Sequence, residues 1–409
     1  MATIGFTKES YNRSKMNERI ENTYTQNGRI INPTEPDMVE WKELGDFLNF
    51  EQPTPYLVKS TEYDNSYKTP VLTAGQSLLL GYTNETDGIY EADKDNPCII
   101  FDDFTTSFHW IDFPFKVKSS AMKMLKPKKN TIFRYVYYAM QQIQFVPQQH
   151  QRHWISKYSH FTIPIPSLSE QKRIVGILDT FADSIENLKQ QIAQRRKQYE
   201  HYRDQLLDLE GKDGVETVML DEICNIKGRI GFRGYTRDDQ VEEGKGALSL
   251  SPGNIVNGKM DYSSSTFITW YKYEESPEIK IYNNDVIFCK TGSTVGKVAI
   301  VENLPYKATI NPQLVVLKDI TTDFRYLAYY LATFPLQSKV KALAGVGSVP
   351  NISQSKLGSL EIPIPSSNEQ QRIVSILDTF EANISNLEAQ LAQRQKQYEY
   401  YRNQLLTFE

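Results

Sequence analysis

The chain lacks most of what catalysis or membrane residence requires. Three cysteines, Cys98, Cys224 and Cys289, occur in 409 residues, too few and too scattered for a disulfide framework or a zinc site. Cys98 and Cys289 sit in apolar, strand-like runs, so the cysteines are expected to be reduced and buried. No apolar run approaches the ~18 residues of a membrane span, and the start Met1-Ala2-Thr3-Ile4-Gly5-Phe6 has neither the basic nor the apolar block of a signal peptide. A cytoplasmic protein without membrane association is predicted. An excess of positive charge is missing too: net charge is −4 and pI about 5.9, which argues against coating nucleic acid by charge alone. DNA binding would have to rest on local patches or a basic partner. No glycine-rich cofactor fingerprint and no Ser, Cys or His nucleophilic set stands in context. Asp102-Asp103 follows a strand as a nuclease carboxylate pair would, but the rest of such a signature is missing. No catalytic, cofactor-binding or metal-ligating residue is assigned.

What is present is ordinary globular content, 40% hydrophobic, with room for two or more domains. One stretch organises it. Ile163 to Leu207 returns 199 residues later (362 − 163) as Ile362 to Leu406. Both copies begin Ile-Pro-Ile-Pro-Ser and carry Glu-Gln three residues after the serine, Glu170-Gln171 and Glu369-Gln370, which is a capping box. The prolines hold the approach extended, so helices are predicted to start just past Pro166 and Pro365. Apolar residues then recur by fours and threes: Ile174, Leu178, Phe181, Ile185, Leu188, Ile192, Tyr199, Tyr202 and Leu206, with Arg195 on the stripe. The second copy repeats this at Ile373, Leu377, Phe380, Ile384, Leu387, Leu391, Tyr398, Tyr401 and Leu405, with Arg394. About five heptads predict a coiled-coil seam. A helix from Glu170 to Leu207 would be roughly 57 Å long at 1.5 Å per residue, too long for one small domain to cover. Each helix is expected to take the other as its partner.

The intervening segments repeat as well. Leu44 matches Leu220, Gly75 matches Gly253, Phe101 matches Phe288, Phe133-Arg-Tyr matches Phe324-Arg-Tyr, and Ile155-Ser156 matches Ile352-Ser353. The offsets rise steadily through 176, 178, 187, 191 and 197 to 199, as one duplicated unit with longer loops in its second copy requires. The predicted fold is α+β: two tandem α/β domains, each followed by a long helix, with the helices pairing as an antiparallel coiled coil in pseudo-twofold symmetry. The expected boundaries are a polar extension over 1–40, domains over 41–162 and 211–361, and long helices over 163–210 and 362–409.

Gly292-Ser-Thr-Val-Gly-Lys297 invites a nucleotide-binding reading, but a phosphate loop needs four residues between its glycines and Ser or Thr after the lysine. Here there are three, followed by Val298. The loop reads as a plain turn or as a close backbone approach to a ligand such as DNA, with Lys290, Ser293, Thr294 and Lys297 as contacts. Gln148-Gln-His-Gln-Arg-His-Trp-Ile-Ser-Lys157 gathers amides, an arginine and two histidines. Gln pairs bidentately with adenine and Arg with guanine in the major groove. Gln149, Gln151, Arg152, His153 and Lys157 are therefore candidate DNA contacts, against the alternative of a solvated loop. Zinc at His150 and His153 lacks further ligands. The counterpart from Gly345 to Ser355 is neutral and small-residued, so Ser348, Asn351 and Gln354 would read a different sequence. Lys116, Lys118, Lys123, Lys126, Lys128 and Lys129 form the densest basic run, either a phosphate-contacting surface or a solvated loop. Arg195 and Arg394 either snorkel at the seam edge or serve a partner contact or the register.

Together these features resemble the specificity subunit of type I restriction-modification systems. The resemblance is carried by the paired segments Ile163 to Asp179 and Ile362 to Asp378, the domain openings at Trp41 and Val218, and Gly292 to Lys297 with Asn311-Pro-Gln313 downstream. It covers about residues 41–409, and the first 40 residues depart from it. It implies two target recognition domains, each reading half of a bipartite site on double-stranded DNA. It also implies that the helices set the spacer and dock two modification (methyltransferase) subunits, with two restriction subunits joining the complex. Arg173, Ile174, Phe181, Arg195 and Tyr199, with Arg372, Ile373, Phe380, Arg394 and Tyr398, are the candidates for docking and spacing. S-adenosylmethionine, ATP and Mg²⁺ are then expected on partner subunits and none on this chain, which selects the site and catalyses nothing. The assembled complex would methylate adenine N6 and, with restriction subunits, cleave DNA at the expense of ATP. A coiled-coil scaffold that binds proteins, without sequence-specific DNA binding, stays open as the alternative.

Overall fold

The structure is a computed structural model that describes residues 39–75, 77–147, 151–229, 231, 234–345, 347 and 349–408, with two short strands at Thr25–Gln26 and Arg29–Ile30. The expectation for residues 1–40 thus lies almost wholly outside the described residues. The chain divides into two compact units, residues 1–187 with 391–409 and residues 188–390. Each holds one domain, the first half of the long helix after it and the last half of the other. No described helix is long and apolar enough to cross a membrane.

In the first unit an antiparallel sheet runs in the order Leu48–Glu51, Met122–Pro127, Cys98–Asp102, Phe108–Ile111. Its central run, Cys-Ile-Ile-Phe, is apolar at every position because both faces are covered. Ile99 and Phe101 face the helix Phe133–Met140 and the root of the long helix, while Cys98 and Ile100 face Phe115 and, in a smaller sheet, Leu72 and Val117. The second unit repeats this plan on six strands, with Val286–Cys289 central: Val286 and Phe288 enter one core, Ile287 and Cys289 the other. All three cysteines are free and buried, and burial pushes the Cys98 and Cys224 thiols up to about 12.

Each Ile-Pro-Ile-Pro approach is a strand paired antiparallel with the strand that opens its domain: Thr162–Ile165 with Glu40–Glu43, and Glu361–Ile364 with Glu216–Met219. The long helices begin as predicted, Leu168–Leu206 and Ser367–Leu406. Ser167 and Ser366 accept the Glu170 and Glu369 amides at 3.4 Å. The glutamate carboxylates do not turn back to complete a box but forward to Arg173 and Arg372 at 2.6 Å. Gln171 and Gln370 instead return to the Pro166 and Pro365 carbonyls at 2.9 Å.

Within the second unit the two helix segments run antiparallel. Tyr202 lies tilted against Phe380 with ring centroids 5.5 Å apart, Tyr199 Oη donates to Glu381 at 3.0 Å, and Arg196 pairs with Glu388. Within the first, Phe181 lies against the Tyr401 ring at 5.2 Å and the Arg394 guanidinium at 5.6 Å. Two seam expectations change. Arg195 is exposed and bonds Gln198 on its own helix, while Arg196, one residue on, makes the crossing contact. Ile174 and Ile373 are fully buried in the domain cores, so the helix roots are covered by their own domains and not by the partner helix alone.

Burial holds the Glu381 carboxyl above its ordinary value of 4.5, against the opposing pull of Tyr199 and Lys259. A carboxyl raised in the folded state contributes stability that is fully present below its unfolded pKa and is lost as pH rises through the folded one. Glu381→Gln keeps an acceptor for Tyr199 and removes the charge. Urea unfolding across pH should therefore show wild-type stability declining above pH 4.5 more steeply than the variant's; parallel profiles would rule out a buried charge here.

Candidate nucleic-acid interface

The strand Cys98–Asp102 runs into Asp103, whose amide donates to the Ala121 carbonyl at 3.0 Å and whose carbonyl accepts the His153 amide at 2.9 Å. In the second unit Val286–Cys289 runs into Lys290, whose amide donates to the Gln313 carbonyl and whose carbonyl accepts the Ile352 amide, both at 2.9 Å. The same two hydrogen bonds tie three loops into a knot in each unit. Its side chains are Asp103, Ala121 and His153 in one unit and Lys290, Gln313 and Ile352 in the other.

In the first unit a buried ion pair holds the knot. Asp103 and Lys123, each about 1% exposed, approach to 3.4 Å. The Asp103 carboxylate also accepts the His153 and Trp154 amides at 3.1 and 2.8 Å. Asp102 accepts the Phe104 and Thr105 amides at 2.8 Å. The acidic pair therefore orders turns. His153, a candidate DNA contact by composition, is buried edge-on to Phe145 and unavailable to a groove. It takes the place of Ile352, and Ile155, matched to Ile352 in sequence, is exposed. Gln151, Arg152 and Lys157 are exposed beside it, whereas Gln149 and the zinc candidate His150 lie outside the described residues. Four of the six lysines of the basic run are tied into the fold, and Lys118 and Lys129 are exposed. Lys116 is buried against Glu85 at 2.9 Å, Lys123 against Asp103, Lys126 pairs with Glu51 at 3.1 Å, and Lys128 bonds the Gly45 carbonyl.

In the second unit Gly292, at φ +101°, donates its amide to the Pro350 carbonyl at 2.9 Å, and Thr291 Oγ1 donates to Asn351 at 2.6 Å. Loops 290–297 and 349–354 are thereby joined. Gly296, at φ +96°, holds a backbone conformation that side-chain-bearing residues rarely adopt. Two candidates are held by the fold: Lys297 donates to the Ile255 carbonyl at 3.0 Å, and the Thr294 hydroxyl lies 3.5 Å from the Cys289 sulfur. Ser293 and Asn351 are exposed and Lys290 is half-buried. The Gln354 amide lies over Gly228, where a Cβ would approach it to 2.4 Å, and Ser348 is outside the described residues. Composition missed Gln313 as a member of the knot. It also missed Arg229, whose guanidinium holds the Ile310 carbonyl and the Thr309 hydroxyl at 3.0 Å just before Asn311. Burial lowers the Arg229 pKa. Among the described residues no cluster of His, Cys, Asp and Glu could hold a metal.

The helix candidates mostly serve the units themselves. Phe181 is buried, Arg173 and Arg372 bond their own glutamates, and Tyr398 donates to Gln141 at 3.0 Å. The exposed positions are more informative. Along the first half of the two helices several differ between copies, as at Lys172 and Gln371 and at Asp183 and Ala382. Four exposed positions of the last half are the same, Ala193 and Ala392, Gln194 and Gln393, Lys197 and Lys396, Glu200 and Glu399, while His201 and Tyr400 differ. Positions 193, 197 and 200 share one helix face.

The sequence model of the family described as "Type I restriction modification DNA specificity domain" matches residues 36–195 and again 212–394. The chain belongs to this family. Over 389 residues, 90% of this chain and 94% of the relative, it is 40% identical to the type I restriction enzyme EcoR124I/EcoR124II specificity subunit of Escherichia coli. A candidate type I specificity subunit of Haemophilus influenzae is 26% identical over 90% of this chain and 96% of its own. The fold recurs in the crystal structure of a type I restriction-modification S subunit from M. genitalium, with TM-score 0.55 at 16% identity over 93% of this chain and 99% of that one. It recurs also in a structure describing complex assembly of a type I system, with TM-score 0.52 over 92% and 98%.

Within this specificity-domain fold, removing one member of the buried pair tests the knot. Asp103→Ala leaves Lys123 without its counter-ion and the Trp154 amide without its carboxylate acceptor, while the His153 amide keeps the backbone carbonyl of residue 103, and should cost about 3–5 kcal/mol in chemical denaturation. Adding Lys123→Met should recover most of that. A loss below about 1 kcal/mol would place the knot's stability elsewhere.

Proposed function

We propose that the chain is the specificity subunit of a type I restriction-modification complex, and that the loop knot of each unit reads one half of a bipartite site on double-stranded DNA. The observation that carries this is the knot: one backbone arrangement built twice and bordered by different exposed side chains, Gln151, Arg152 and Lys157 in one unit and Ser293, Gln313 and Asn351 in the other, in a chain of this family. Two readers with a shared scaffold and unlike faces suit two unlike half-sites. The chain is non-catalytic and selects the site. Two modification subunits bring S-adenosylmethionine and methylate adenine N6, and two restriction subunits bring ATP, Mg²⁺ and cleavage. The long helices set the distance between half-sites. A net charge of −4 fits a division of labour in which partners supply much of the phosphate binding. We place the complex in the cytoplasm, with the DNA it addresses.

The deciding experiment is co-expression with the modification subunit in a methylation-free host, followed by genome-wide sequencing of N6-methyladenine. One bipartite motif with a fixed gap is expected. No new methylation, with the partner expressed and bound, would favour the protein scaffold. Docking is assigned to the exposed stripe that the two helices share. Lys197→Glu with Glu200→Lys should lower the number of modification subunits bound, by native mass spectrometry, from two to one, and adding Lys396→Glu with Glu399→Lys should abolish binding. Retention of both subunits would move the docking surface away from the stripe.

A further inference from the structure

We propose that Ile155 in the first unit and Val349 in the second contact a thymine 5-methyl group, each in its own half-site. The inference rests on the functional reading above and adds residues that neither composition nor motif singled out. Both side chains are branched at Cβ and point to solvent, 60% and 61% exposed. Both sit in the loop that the knot pins: Ile155 two residues after His153, Val349 three before Ile352.

Both loops are anchored by hydrogen bonds beside these positions. Around Ile155, Ser156 Oγ donates to the Arg152 carbonyl at 2.8 Å, the Lys157 amide donates to the His153 carbonyl at 3.0 Å, and the Asp103 carboxylate holds two further amides. Beyond Val349, the Pro350 carbonyl accepts the Gly292 amide at 2.9 Å, and the Asn351 amide donates to the Ala344 carbonyl at 3.1 Å. On either side of Ile155 the loop turns Trp154 and Tyr158 into the core, so Ile155 is outside by geometry; Val146, earlier in the same connection, is exposed as well. Its exposed neighbours are Gln151, Arg152 and Lys157; those of Val349 across the knot include Asn351 and Ser293. A protein-docking site would show a broad apolar patch. Ile155 among an amide and two cations, and Val349 beside an amide and a hydroxyl, match the major-groove edge of an A·T pair, where the thymine methyl is the apolar feature beside hydrogen-bonding groups. Pinning the loop means that little order is lost when the contact forms.

The test uses the full chain assembled with its modification subunit, acting on synthetic duplexes that carry the bipartite site. Each thymine is replaced in turn by deoxyuridine, which lacks only the 5-methyl. A site methylated on adenine always offers thymines to replace. For the unaltered protein, one replacement in each half-site should slow methylation about fourfold, the worth of one buried methyl. Ile155→Ala should lose a similar factor on the intact site and become insensitive to the replacement in one half-site only; Val349→Ala should do so in the other only. Methylation indifferent to every deoxyuridine, or losses that multiply with those of the alanine variants, overturns the inference and leaves the functional reading standing. A complex that methylates no bipartite site overturns that reading, and this inference with it.

Discussion

A tyrosine hydroxyl bonded to a proline carbonyl is the point from which both units hang. Pro164 and Pro363 lie in paired strands but have no N–H to give a ladder. Their carbonyls accept from Tyr135 at 2.7 Å and Tyr326 at 2.6 Å, each the third residue of a domain helix. Nearly one turn further along the same helices, Tyr138 and Tyr329 donate to Asp179 and Asp378 on the long helices, where Arg134 and Arg325 also bind. One turn of a short helix thus grips both the approach strand and the long helix. Neither hydroxyl can be lost cheaply, because an unpaired carbonyl would stay buried. The orientation of each domain on its helix follows from this grip.

From that fixed base the loop knots are held by different means. The first unit uses charge: Lys123 and Asp103 are buried together, and the carboxylate organises the amides of the next loop. In the second, Val315 stands where Lys123 does in the strand pairing, Lys290 replaces Asp103, and the apolar Ile352 fills the site of His153. Backbone hydrogen bonds carry the common geometry, which leaves side chains free to differ without moving the loops. A carboxylate consumed inside the first knot and a lysine near the surface of the second also give the two faces different electrostatic character.

The parts of this fold legible in sequence are those set by local chemistry or by period. Proline and serine placed the helix starts to within a residue or two, and rising offsets between matched residues predicted strands and helices that do correspond, Phe101 with Phe288 and Phe133 with Phe324. What composition misjudged depended on partners distant in sequence. Lys116 and Lys123 look like a basic surface until Glu85 and Asp103 fold against them. His153 and Ile155 differ by two positions, and only the hydrogen bond to Asp103 decides which of them points inward. Arg195 and Arg196 are one residue apart, about 100° around a helix, and a strict heptad drifts against a straight helix by enough to choose the wrong one.

The duplicated helices are not interchangeable, and the reason is a relocated acceptor. Tyr199 and Tyr398 occupy the same place in the repeat. The first bonds Glu381 on the long helix; the second bonds Gln141 at the end of a domain helix. Where the second unit has Glu381 the first has Ala182, and where the first has Gln141 the second has Ala332. Each tyrosine is satisfied once, by an element of its own unit. In the second unit the acceptor belongs to the helix, so the domain there can change without touching the tyrosine. In the first unit the acceptor belongs to the domain, and Gln141 also receives Arg402 at 3.0 Å. A recognition domain exchanged into the first position must therefore bring an acceptor at the place of Gln141, whereas one exchanged into the second need not.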